Sequence, residues 1–190
     1  MVYMTNKTEQ KILDAGLKVF SKKGYDAATT RGIAEESGFT EMTLFRKFGT
    51  KKNLFDQVMI YNVNKLTDEF LQIHDLDHKF KDPKDFLEAF VKRFAKFSLD
   101  NIEVFRLSVN EDNIESDGTM GETTNFVGEF IKGNIPDIKV DPKTLGLTIT
   151  TFVYMINLER YNGRIKHGLY DETLQKFINN ILICFETTKQ

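Results

Sequence analysis

The stretch ATTRGIAEESGFTEMTLFRKFGTKKNL, residues 28–54, decides the fold. Thr30–Ser37 reads as a short helix, Gly38-Phe39-Thr40 as a three-residue break, and Glu41–Phe48 as a second short helix with Thr40 as its N-cap. Gly49-Thr50 closes that helix and caps a long one that opens at Lys51 and runs to about residue 71. Working upstream, Ile12, Ala15, Val19 and Phe20 follow the spacing of one helical face, and Gly24 is placed to end that helix. Two short helices joined by a glycine-containing turn, with a third helix before them, form a helix-turn-helix pattern.

Downstream the chain continues as helix. Asp82-Pro83 and Asp141-Pro142 each set an N-cap residue before a proline at the first helical position, opening helices near 83–99 and 142–163. Less marked segments lie near 101–113 and 119–133, and a last helix spans about 171–187. Three prolines in 190 residues, no alternating strand-length segments and no internal repeat make the expected fold all-α. The expected division is a helix-turn-helix unit at 1–52 and a helical body at 53–190, joined by the helix that begins at Lys51. A front unit of about 50 residues is near the size where a lone core is marginal, so that helix is its natural support.

Charge separates the same two parts. The whole chain carries 26 basic and 28 acidic residues. Residues 1–52 hold 10 basic against 6 acidic, and residues 53–190 hold 16 against 22. A basic front on an acidic body implies an anionic partner for the front alone. In the third helix Leu44 and Phe48 share one face, and Met42, Thr43, Arg46 and Lys47 are assigned to the opposite arc. Eight residues at about 1.5 Å each span roughly 12 Å, which suits a major groove of about that width. Thr30, Thr40, Thr50 and Lys51 stand at helix N-termini, where hydroxyls and free amides favour phosphate oxygens, and Lys52 adds charge.

The string from Ala28 to Leu54, with Ile12-Leu13-Asp14-Ala15, Phe20 and Gly24-Tyr25 upstream, closely resembles the TetR (tetracycline-repressor-like) family of bacterial and archaeal transcriptional regulators. The likeness covers about residues 8–56; the body resembles the family in its all-helical pattern and length. The resemblance implies a DNA-binding regulator, most often a repressor released from its operator by a small-molecule effector. It places Thr30 near a phosphate and Arg31 near a base or phosphate. Glu41, Met42 and Thr43 then begin the recognition helix, with Thr40 ahead of them, and Lys51 contacts the backbone. The family often has Tyr and His where this chain has Phe45 and Lys47. Phe45 lacks the phosphate-binding hydroxyl, and Lys47 supplies a cation. The implied partner is a pseudo-palindromic duplex bound by a homodimer.

In the body, residues 145–158 and 174–185 are apolar around more than one face. They either lie deep within one chain or, as the resemblance implies, pair with their copies through the helices near 142–163 and 171–187. Phe86, Phe90, Phe94 and Phe97 make a stripe at i, i+4, i+8, i+11, which serves either as core or as the wall of an effector cavity. The cavity reading takes Phe94, Phe97, Phe105, Phe126 and Phe152 as apolar walls. Asn62, Asn110, Asn125, Tyr154, Asn157 and Tyr161 are then its polar contacts, and an apolar or aromatic effector fits such a lining.

Other classes find little support. His74 and His78 at i, i+4 with Asp75 and Asp77 form a conceivable metal site in a strongly solvated segment, and no metal is expected. His167 reads as a loop residue and Cys184 as a small buried hydrophobe. There is no phosphate loop, nucleophile elbow or zinc-helix pattern, so neither an enzyme nor a cofactor is expected. A small all-helical enzyme or a helical interaction adaptor remain the alternatives. One cysteine, no apolar leader and no uncharged run near 20 residues give the expectation of a cytoplasmic protein with no membrane partner.

Overall fold

The computed structural model describes residues 6–73, 80, 82–110, 119–135 and 138–186, and these fold as helices with no strand among them. In chain order they are α1 (Lys7–Ala27), α2 (Thr30–Ser37), α3 (Glu41–Phe48), α4 (Lys51–Ile73), α5 (Pro83–Asp100), α6 (Ile102–Asn110), α7 (Thr119–Asn134), α8 (Pro142–Tyr161) and α9 (His167–Glu186). They fall into two compact units. The first comprises residues 1–74 and 103–115; the second comprises 75–102 and 116–190.

Local capping explains where the helices of the first unit begin. Asn6 and Glu9 form a reciprocal capping box on α1, and Thr29 accepts from the Gly32 amide at 3.1 Å to start α2. Thr40 accepts from the Thr43 amide, and Thr50 from the Asn53 amide at 3.1 Å. Gly38 ends α2 at φ 76°, a left-handed conformation that a side chain would strain, and so turns the chain into α3. Gly24 interrupts α1 as expected, but the chain resumes one further turn to Ala27.

Ile12, Phe20, Ile33, Leu44, Leu54 and Val58 are fully buried and fill this unit's core. Phe55 of α4 meets Phe20 edge-on at 4.9 Å and Tyr25 at 5.2 Å. The compact unit therefore extends well past residue 52, because α4 is one wall of its core.

In the second unit the phenylalanine stripe is core. Phe86, Phe90 and Phe94 are buried, their rings spaced about 6 Å apart along α5, with Phe130 of α7 at 5.3 Å from Phe90. α7 and α8 cross at Gly128 and Gly146, where backbone meets backbone. α9 begins at His167 rather than near 171; a first-turn contact of 2.6 Å between His167 Nδ1 and Asp171 Oδ2 and the burial of Tyr170 hold the extra turn.

Asn157 on α8 is wholly buried. Its amide donates to the Ala95 carbonyl at 2.9 Å, and its oxygen accepts from the Tyr170 hydroxyl at 2.6 Å. Thr150, equally sheltered, has a hydroxyl with no partner among the described residues. Opposite outcomes follow for shape-matched replacements. Asn157→Leu removes the bond from α8 to α5, leaves the buried Tyr170 hydroxyl without its acceptor and is expected to lower stability by about 1–3 kcal/mol. Thr150→Val removes only an unpaired group and is expected to be neutral or stabilising. Urea unfolding followed by circular dichroism measures both.

Candidate nucleic-acid interface

α3 is amphipathic in a way that fixes what it presents. At about 100° per residue, buried Leu44 and Phe48 lie within about 40° of one another. Glu41 and Lys47 sit about 60° to either side of Leu44, on the two shoulders of that stripe. Phe45, Met42, Arg46 and Thr43 fill the remaining arc. Met42 is 80% exposed and Phe45 48%, large apolar groups turned to solvent beside exposed Arg46. A solvent-facing methionine and phenylalanine on an otherwise well-packed helix mark a contact surface.

Both shoulders are tied. The Thr30 hydroxyl donates to the Glu41 carboxylate, linking α2 to α3. Lys47 donates to Glu9 of α1 at 2.8 Å, with its side chain only 18% exposed. That contact holds the Glu9 carboxyl below its ordinary range. Lys47 thus lies off the outward arc to which the sequence reading assigned it, as helical spacing itself requires, and Glu9 is a partner that reading missed. The capping signal at Asn6 and Glu9 was visible in sequence; its tertiary use by a residue 38 positions away was not.

The remaining sequence-selected residues divide by charge state. Arg31 pairs with Glu35 at 3.0 Å on the exposed face of α2. Thr40 and Thr43 share a hydroxyl contact of 3.0 Å at the start of α3. Lys51 donates to the Asp26 carbonyl at 3.1 Å and lies 4.5 Å above the Tyr25 ring. A carbonyl and a ring face orient an ammonium without neutralising it. Arg46, Lys51 and Lys52 therefore keep uncompensated positive charge on this unit, each without a carboxylate partner among the described residues.

The residues proposed as ligand contacts do not share one unit. Asn62 and Phe105 are buried in the first, with the Asn62 amide donating to the Val58 carbonyl at 2.8 Å. The Asn110 side chain, His74, His78 and the Cys184 side chain lie outside the described residues. In the second unit Phe94 is core, Phe97 and Phe126 are half-buried, and Asn125 and Tyr161 are exposed. Tyr154 is buried, Phe152 stacks on Phe177 at 3.7 Å, and Asn157 is bonded as described. This unit also carries an open groove of about 600 Å³ lined by Ala95, Leu99, Tyr170, Leu174, Arg160 and Lys96, among others; none of the sequence-selected contacts lines it. No group of three or more metal-ligating side chains occurs among the described residues, and no described helix is long and apolar enough to cross a membrane.

Residues 12–58 match the family of bacterial regulatory proteins, tetR family. Over 52 residues the chain is 42% identical to the uncharacterized HTH-type transcriptional regulator YvkB of Bacillus subtilis. Over 48 residues it is 38% identical to the HTH-type transcriptional repressor AcnR of Corynebacterium glutamicum. These matches cover 27% and 25% of this chain, and only 28% and 26% of the two relatives' own length. In fold the likeness extends further: a TetR-like transcriptional regulator from Rhodococcus sp. RHA1 superposes with a TM-score of 0.71 at 17% identity, over 93% of this chain and 96% of the other. Residues 12–58 of this chain are thus similar in sequence to the TetR family of bacterial regulatory proteins, and the chain resembles a TetR-like regulator in fold.

Proposed function

We propose that the protein is a DNA-binding transcriptional repressor whose α3 enters the major groove of a pseudo-palindromic operator in the cytoplasm. The observation that carries this reading is the outward arc of α3, formed by Met42, Phe45, Arg46 and Thr43, on a unit where Arg46, Lys51 and Lys52 have no carboxylate partner among the described residues. Arg46 and Met42 set sequence preference. Thr43 faces base edges beside Met42, and Thr40 at the N-cap meets phosphate, with Arg31 and Thr30 at the flank. Lys51 supplies affinity that does not depend on sequence.

Lys51→Ala is expected to weaken binding to every duplex alike and to flatten the dependence of log K on log salt by about one unit. Fluorescence anisotropy at several potassium chloride concentrations measures this, and an unchanged slope removes Lys51 from the interface. Binding of a labelled duplex by the wild-type chain with no salt dependence would sink the DNA reading itself.

The body supplies dimerisation and response. Leu147 and Met155 on α8 and Leu169 and Ile183 on α9 are each about half exposed, and the Phe152–Phe177 stack joins the two helices beside them. This apolar face supports a homodimer, the symmetry a palindrome requires. A small-molecule effector held by the second unit lowers the population of the DNA-competent state, and a groove of about 600 Å³ is of the size such ligands occupy. The apolar or aromatic effector read from the sequence is tested by thermal-shift screening; the absence of stabilisation by any apolar compound counts against it. The reading assigns the protein no reaction and no cofactor.

A further inference from the structure

We propose that Lys47 is a positioning residue of the recognition helix, acting through Glu9, and that it is not a phosphate-binding cation. The inference rests on the DNA-binding reading and assigns one of its residues a different task.

Three observations carry it. Lys47 leaves the outward arc, standing on a shoulder of the buried Leu44–Phe48 stripe with its side chain only 18% exposed. Its ammonium is neutralised by a carboxylate at 2.8 Å. That carboxylate is itself fixed: Glu9 accepts from the Asn6 backbone amide and from the Asn6 side chain, both at 3.3 Å, as the third residue of the α1 capping box. The tie therefore ends on a side chain whose geometry is set by the helix start, not on a freely rotating surface group.

Two other ion pairs among the described residues of this unit differ. Arg31–Glu35 lies within one helix with side chains 79% and 68% exposed, and Lys18–Glu36 is 68% and 45% exposed at 3.4 Å. Such exposed pairs contribute little. Lys47–Glu9 is more sheltered and joins α3 to α1, while Thr30–Glu41 joins the other shoulder of α3 to α2. The helix is thus held from both sides, against rotation about its own axis. Base-edge contacts need placement to about half an ångström, so fixing that rotation governs sequence discrimination.

Recruiting Lys47 to a phosphate would have an opposing consequence. Glu9 would lose its cation and stand as an uncompensated carboxylate close to a polyanion. The pair is therefore expected to persist on DNA, leaving the count of released counterions unchanged.

The test uses the full chain and four variants: Lys47→Met, Glu9→Gln, the double substitution, and Lys47→Arg. Binding is read by anisotropy across a salt series on two duplexes: one of 30 mixed-sequence base pairs, and the duplex the wild type retains most strongly from a random 30-base-pair library. Lys47→Met and Glu9→Gln are each expected to lower the affinity ratio between the two duplexes about tenfold while leaving the salt slope at the wild-type value. The double variant is expected to fall no further than either single one, and Lys47→Arg to restore the ratio. A slope flattened by about one unit in Lys47→Met, together with tighter binding to mixed sequence by Glu9→Gln, would identify Lys47 as a phosphate contact and overturn the proposal. If the wild type binds neither duplex, the DNA reading fails, and with it the positioning role. Coupling of the two substitutions in urea unfolding separately reads the tie itself, and additive effects there overturn it.

Discussion

Leu147→Glu combined with Met155→Glu is expected to convert the protein to a monomer at micromolar concentration and to weaken operator binding by roughly 10²–10⁴-fold. Both side chains lie on α8 about half exposed, two turns apart, on the same face. Leu169 and Ile183 on α9 are likewise about half exposed, and the parallel rings of Phe152 and Phe177 pack the two helices together. Large apolar side chains exposed on two packed helices are unfavourable in water, and under the proposed homodimer a second copy covers them with two-fold symmetry. Introducing a carboxylate at each position places four like charges in the paired interface, where the cost of burial exceeds any packing gain. The effect on DNA comes from tethering: once one head is bound, its partner searches at an effective concentration near millimolar, and separated heads lose that advantage. Neither residue is buried within the chain, so circular dichroism should stay helical. Light scattering with anisotropy checks both parts, and a dimer that persists in the double variant would move the interface elsewhere.

Gly146→Ala is expected to lower stability by about 3 kcal/mol or more. A Cβ there would stand 2.2 Å from the Thr124 carbonyl oxygen and 2.8 Å from the Gly128 amide nitrogen. Its counterpart on α7, Gly128, meets the Pro142 carbonyl oxygen at 2.2 Å in the same way. These are backbone atoms of a helix crossing, so no rotamer change relieves the overlap and α7 must move off α8. Gly121 and Gly133, on the same α7, have open space around a Cβ. Gly121→Ala is therefore the control, neutral or slightly stabilising through helix propensity. Urea unfolding of the two variants should give a lowered midpoint for the first and an unchanged or raised one for the second. Equal midpoints would mean that α7 and α8 do not approach as described.

The helix-turn-helix was legible because its signals are local. The caps at Thr40 and Asp141, the turn at Gly38 and the alternation of Leu44 and Phe48 with polar residues each depend on a few neighbouring positions, and α2, α3 and the starts of α5 and α8 follow from them. α9 began earlier than its pattern indicated because Tyr170 is buried by packing from elsewhere in its unit, information absent from the residues around His167. The outward face of α3 was legible only in part. Arg46 and Met42 project outward as helical periodicity requires, whereas the shoulder position of Lys47 became decisive only through Glu9, on another helix. The ligand contacts were least legible. Polar residues on apolar helices read alike whether they bind an effector or, as Asn157 does, close a hydrogen bond between helices.

Whether α3 reads base edges is decided by sequencing the genomic fragments retained by the purified wild-type chain and by Arg46→Ala under the same salt. The wild type is expected to enrich strongly a two-fold-related motif with half-sites about one helical turn apart, and Arg46→Ala to lose or relax it at defined positions. Fragments retained without any common motif, or the same motif retained equally by Arg46→Ala, would contradict base reading by α3.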